Sequence, residues 1–260
     1  MTESEKKPAR PQREGFKKGI YLLPNMFTTG ALFAGFYAII IAMKGQYEYA
    51  AIAVFLAMLL DGLDGRVARL TNTQSAFGAE YDSLSDMVSF GVAPALVTYQ
   101  WALIYFIEYG AVWSKIGWLG AFIYTTSAAL RLARFNTQIG IADKRYFQGL
   151  PSPAAAAVVM GMIWVCENYG IVGTDVIFAA LVVIISAGAL MVSRFSYYSF
   201  KDLDLRKRVP FVSVLIVMLI FVFLSIEPPT VLFLIFFLYM LSGPILALFR
   251  WVRKKQRMNN

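Results

Sequence analysis

Histidine is absent from this 260-residue chain, cysteine occurs once, and charged residues make up only 15% of it. Without histidine, a carboxylate becomes the natural general base for any acid–base chemistry. A single cysteine, Cys166, excludes an intramolecular disulfide and a cysteine-based metal cluster, and its apolar neighbours mark it as a packing residue. The scarcity of charge, with 58% hydrophobic residues and a mean hydropathy of +0.60, excludes an ordinary soluble domain. Also missing are an internal repeat, a soluble domain and a cleavable leader pattern, because the first 20 residues are polar and charged rather than built on an early apolar core.

What fills the chain is apolar runs of bilayer-spanning length, for which roughly 20 residues suffice. Eight candidate spans are read at Met26–Met43, Tyr47–Arg69, Phe77–Ile107, Trp118–Asn136, Pro151–Val165, Asp175–Ser193, Pro210–Ser225 and Pro229–Phe249. The expected fold class is all-α: a polytopic membrane helix bundle of about eight transmembrane helices. Ahead of it, EGFKKGIYLL (Glu14 to Leu23) interleaves Phe and Ile with Lys and is expected to form a short amphipathic helix on the inner membrane surface, with Pro24 opening the first span. Residues 1–13 read as a disordered basic cytoplasmic tail, 14–249 as one membrane domain, and 250–260 as a second basic cytoplasmic tail.

Net charge is +8, but the basic residues border apolar spans and lack interleaved exposed aromatics. That pattern favours anionic lipid headgroups as partners and disfavours nucleic acid. With the N-terminus in the cytoplasm, only Lys44 and Lys115 among the 24 Lys and Arg fall on the outer side, which instead carries Glu48, Glu108, Glu167, Asp175 and Glu227. Both termini are therefore expected in the cytoplasm, as for a protein of the bacterial inner membrane.

Ionisable residues inside a span are costly, so a cluster of them signals function. The stretch DGLDGRVARLTNTQSAFGAEYDSLSD, from Asp61 to Asp86, holds such a cluster. Asp61, Asp64, Gly65, Ala68 and Arg69 share one helix face, and Asp82, Ser85, Asp86 and Ser89 share another, with Gly78 one turn earlier. The short link from Leu70 to Ala76 makes the two helices antiparallel neighbours, so four carboxylates converge. Left bare they would repel one another. Two hard divalent cations, Mg²⁺ or Mn²⁺, match them in charge and ligand type, and paired metals suit displacement at phosphorus. Asp61 lies fourteen residues into its helix, roughly 21 Å from the outer end at ~1.5 Å per residue, which puts the cluster in the cytoplasmic leaflet. Gly65, Ala68 and Gly78 leave room either for a planar base or for close helix approach.

Asp61-x2-Asp64-Gly65-x2-Ala68-Arg69-x8-Gly78-x3-Asp82-x3-Asp86 resembles, at every fixed position, the signature of the CDP-alcohol phosphotransferase family. The resemblance implies that Asp61, Asp64, Asp82 and Asp86 hold two metals and that Asp86 deprotonates the acceptor alcohol. It further implies a CDP site formed by Asp61, Asp64, Gly65, Ala68, Arg69, Gly78 and Asp82, and a homodimer. LPNMFTTGALFAGF (Leu23 to Phe36), SDMVSFGVAPA (Ser85 to Ala95), ALRLARFN (Ala129 to Asn136) and YFQGLPSPAAA (Tyr146 to Ala156) resemble the integral-membrane, serine-using branch of that family, the phosphatidylserine synthases.

That branch implies CDP-diacylglycerol and L-serine as substrates and phosphatidylserine and CMP as products. Arg131 and Arg134 can supply a cation for the serine carboxylate, or hold CDP phosphates or lipid headgroups, or simply follow the charge rule at a cytoplasmic helix end. Ser89, Asn136 and Ser152 are further candidates for the acceptor or phosphate site, with Ser152 read first as a helix cap. The competing expectations are a phosphatidylglycerophosphate synthase using glycerol 3-phosphate and, from another class, a membrane cation transporter. Prenyl transfer would need acid-rich segments in distant halves of the chain, and here both lie within one short stretch.

Overall fold

The computed structural model describes residues 14–71, 73, 75–137, 146–198, 218–219 and 222–259. The first tail and most of the expected span 210–225 lie outside them. Helices dominate, because long apolar runs leave the backbone no partner but itself.

Helix α1 (Glu14–Ala42) runs unbroken through Pro24, so the expected surface helix and first span form one element. A turn with Gly45 at φ 75° reverses the chain into α2 (Tyr47–Leu70). The pair packs through small residues, Ala31, Ala34, Ala38 and Ala42 against Ala50, Ala51, Ala53 and Ala57, all buried. Small side chains let the backbones approach and gain dispersion where water cannot drive association.

Next comes α3 (Ala76–Asp86), capped by Ser75, whose Oγ accepts from Gly78 N at 3.0 Å. It continues as a π-helical segment at Met87–Val92, then α4 (Ala93–Trp101) and a 3₁₀ turn at Leu103–Tyr109. The π-segment lies where α1 crosses. A Cβ on Gly35 would stand 2.5 Å from Ser89 Oγ and 2.7 Å from Ser89 Cα, so only glycine permits this approach. Pro94 cannot donate a backbone hydrogen bond, and the Tyr124 hydroxyl donates to Phe90 O, four residues before it, at 3.0 Å.

Helix α5 (Ala111–Thr137) packs on α7 (Ile177–Val192), and the largely buried α6 (Ser152–Asn168) lies against α2 and α8 (Pro228–Asn259). Two short strands, β1 (Tyr146–Gln148) and β2 (Ser196–Tyr198), pair antiparallel with Phe147 opposite Tyr197. They tie the α5–α6 connection to the segment after α7. Tyr197 is fully buried and donates its hydroxyl to Met240 O at 3.0 Å. That carbonyl stands four residues before Pro244, which again has no N–H to offer it.

Among the described residues, three stretches are long and apolar enough to cross a bilayer: Asn25–Ala42, Ala76–Tyr109 and Pro228–Arg250. Ile177–Val192 is apolar but shorter. Helix α2 carries Asp61, Asp64, Arg66 and Arg69 near one end, which lowers its apolar character there.

Candidate active site

Helices α2 and α3 are consecutive and joined by a short turn, so their polar ends meet. Carboxylate oxygens of Asp61, Asp64 and Asp82 lie within 4.8 Å of one another. Asp86, one turn beyond Asp82, neighbours Asp61 and Asp82 and feels the charge of Arg131 from α5. Asp82 Oδ1 is buried with no hydrogen-bond partner among the described residues. An orphaned carboxylate oxygen within a cluster of like charge fits a hard divalent cation, as does a donor set made only of carboxylates.

Beside the acids a cavity of about 350 Å³ opens, of the size that holds small ligands. Asp64, Gly65, Ala68 and Arg69 line it from α2, and Gly78, Ala79 and Asp82 from α3. A Cβ at Gly65 would meet nothing within 4 Å, so this glycine widens the cavity rather than closing a helix contact. At Gly78 a Cβ would come 3.1 Å from Ser75 Oγ, so that residue serves the α3 cap as well. Arg69 holds its side chain along α2 by donating from Nε to Gly65 O at 2.9 Å.

The cavity has further walls outside the two acid-bearing stripes. Asn25 and Thr28 of α1 and Thr73 and Ser75 of the α2–α3 turn also line it. Thr28 donates to Asp64 Oδ2 at 2.7 Å. Asn25 and Thr28 at i, i+3 form a short polar stripe in an otherwise apolar span, and that was the available signal.

The expected polar stripe of the third span divides in the structure. Ser85 and Ser89 bond to α1 rather than to the acids, donating to Thr28 O and Ala31 O, each at 3.1 Å. Both serines are buried, and Ser89 serves helix packing. Asn136 donates to Ser83 Oγ at 3.0 Å and joins the end of α5 to α3.

The two arginines have different surroundings. Arg134 donates to Val192 O at 3.0 Å and Ser193 O at 3.4 Å, satisfying carbonyls left open at the end of α7. Arg131 is 8% exposed and donates from Nη1 to Ser152 Oγ at 3.0 Å, while its Nε has no partner among the described residues. The cap expected of Ser152 does not form: Pro151 occupies the N-cap position, no side chain among the described residues caps α6, and the serine hydroxyl accepts from Arg131 instead.

Residues 21–193 match the family model described as CDP-alcohol phosphatidyltransferase. A protein of Helicobacter pylori (strain J99) named CDP-diacylglycerol–serine O-phosphatidyltransferase is 37% identical over 90% of this chain and 92% of its own length. Proteins of the same name from Methanocaldococcus jannaschii and Saccharomyces cerevisiae are 40% and 38% identical, over 55% and 56% of this chain and 61% and 54% of their own lengths. The matched span contains both acid-bearing helices, the cavity between them and both arginines of α5, and the chain belongs to the CDP-alcohol phosphatidyltransferase family.

Proposed function

We propose that this protein transfers the phosphatidyl group of CDP-diacylglycerol to the hydroxyl of L-serine, giving phosphatidylserine and CMP. The observation that carries the reading is the acid cluster set between a nucleotide-sized cavity on one side and a buried arginine on the other. The serine assignment draws support from the H. pylori relative, whose likeness extends along nearly the whole chain.

Asp61, Asp64, Asp82 and Asp86 are the residues that would hold two cations, Mg²⁺ or Mn²⁺, which when bound supply charge neutralisation at the pyrophosphate and at the leaving group. CDP occupies the cavity along Gly65, Ala68, Arg69 and Gly78, with the acyl chains in lipid. Arg131, oriented by Ser152, meets the serine carboxylate through a charge-assisted hydrogen bond. Asp86 stands between Arg131 and the other acids and takes the proton from the serine hydroxyl. The serine oxygen then forms a bond to the phosphorus that carries diacylglycerol, the bond from that phosphorus to CMP breaks, and CMP leaves.

The setting we propose is a bundle of about eight spans in the bacterial inner membrane, with both termini and the active site cytoplasmic, basic borders on anionic lipid, and a homodimer as the working unit. The charge asymmetry of the loops and the family resemblance support it. Purified protein is offered CDP-diacylglycerol with either serine or glycerol 3-phosphate, and CMP release is followed. Turnover with serine alone is expected; turnover with glycerol 3-phosphate alone would assign the phosphatidylglycerophosphate synthase reaction instead.

A further inference from the structure

Helix α1 lies outside the family signature, yet it enters the acid cluster. Thr28 is 4% exposed and faces the cavity wall beside Asp64, itself 5% exposed. Its hydroxyl donates to Asp64 Oδ2 at 2.7 Å, and its carbonyl accepts from Ser85 Oγ at 3.1 Å. Ser85 stands between Asp82 and Asp86 on the next helix. One residue of α1 is thus bonded to α2 at an acid and to α3 at the turn carrying two more.

We propose that Thr28 is a positioning residue of the catalytic centre, holding one Asp64 oxygen so that the other is presented to a divalent cation, while its carbonyl sets α3 at the matching depth. The proposal rests on the metal reading of the aspartates. A carboxylate with both oxygens free can rotate and bind in several modes. A buried hydroxyl on one oxygen removes that freedom, and such outer contacts commonly change metal affinity by ~10- to 100-fold. Ser85 contributes through the helix and not through the acid itself, so the effect of Thr28 divides into a hydroxyl part and a backbone part. Side-chain substitution removes only the first.

The test measures Mn²⁺ binding to the purified full chain in lipid nanodiscs, by the loss of the free-ion electron paramagnetic resonance signal, alongside CMP release as a function of Mn²⁺. Thr28→Val keeps the shape and removes the donor; it is expected to weaken Mn²⁺ binding ~10- to 100-fold, with turnover recovering at high Mn²⁺. Thr28→Ser keeps the donor and is expected to remain within ~3-fold of wild type. Wild-type affinity in Thr28→Val, or an equal loss in Thr28→Ser, overturns the positioning role while leaving the metal reading standing. Failure of the wild-type protein to bind Mn²⁺ at all overturns the metal reading and the role together. If Thr28→Val does not elute as folded protein, Thr28→Ala replaces it under the same expectations.

Discussion

At the scale of single residues, the site separates groups that the sequence shows as equivalents. Arg131 and Arg134 stand one turn apart with the same charge, but Arg134 is engaged by the end of α7, whereas Arg131 interacts electrostatically with Asp86 and has an Nε without a partner among the described residues. Arg131→Met is therefore expected to raise KM for serine ~10- to 100-fold, the loss that a hydrogen bond to a charged group of about 1.5–3 kcal/mol produces. Arg134→Met should act on stability and leave that KM nearly unchanged; comparable KM increases in both variants would contradict the assignment. Asp86→Asn keeps the side-chain shape but cannot accept the proton, and kcat should fall by ~100-fold or more while CDP-diacylglycerol binding is partly retained. Steady-state kinetics with a direct lipid-binding measurement would separate the two effects.

The four aspartates were legible from spacing alone because helical period and a short connection suffice to bring them together. Thr28 and the true partner of Ser152 were not. Each depends on which of several helices crosses at a given height, and a hydroxyl in an apolar span has many possible uses until that crossing is known. Ser152 looks like a cap because it sits beside two prolines, yet the buried guanidinium competes for its oxygen and wins.

At the scale of elements, the third span shows where periodicity stops being a guide. A 3.6-residue period places Ser85 and Ser89 with the acids, but both bond to α1 and the helix widens into π geometry immediately after Asp86. Such widening within an α-helix is frequent at functional sites. Here it coincides with the tight crossing at Gly35. Gly35→Val would press its side chain into Ser89, and a cost of about 1–3 kcal/mol is expected for that overpacking. A lowered unfolding temperature with reduced turnover is the anticipated outcome, because the displaced segment begins next to Asp86; an unchanged melting profile would mean that α1 can yield at this point. The β1–β2 pair was equally illegible, since strands of three residues carry too little alternation to be recognised.

For the whole molecule, helix content and the membrane character of the chain follow from composition, while the number of spans depends on elements beyond the three that qualify by length and apolarity among the described residues. Short or charged helices such as α6 and α2 cannot be scored by hydropathy alone when they are shielded by neighbours. The acid cluster also sets a property of the assembled enzyme. Chelation with EDTA should abolish CMP release, and added Mg²⁺ or Mn²⁺ should restore it, without any change in elution volume before and after. Persistent turnover in EDTA would count against a divalent centre.

Tyr197 and Pro244 have a consequence for how this protein can change over time. The hydroxyl serves a carbonyl that the proline leaves without its usual donor, so the tyrosine offsets part of what the proline costs the helix. Tyr197→Phe in the present background should cost about 1–3 kcal/mol by leaving Met240 O unpaired. In a Pro244→Ala background, where the backbone N–H returns to that carbonyl, the same change should be nearly silent. Substitution histories at these two positions, far apart in sequence, are then expected to be linked, with a lineage that loses the proline released from keeping the tyrosine hydroxyl.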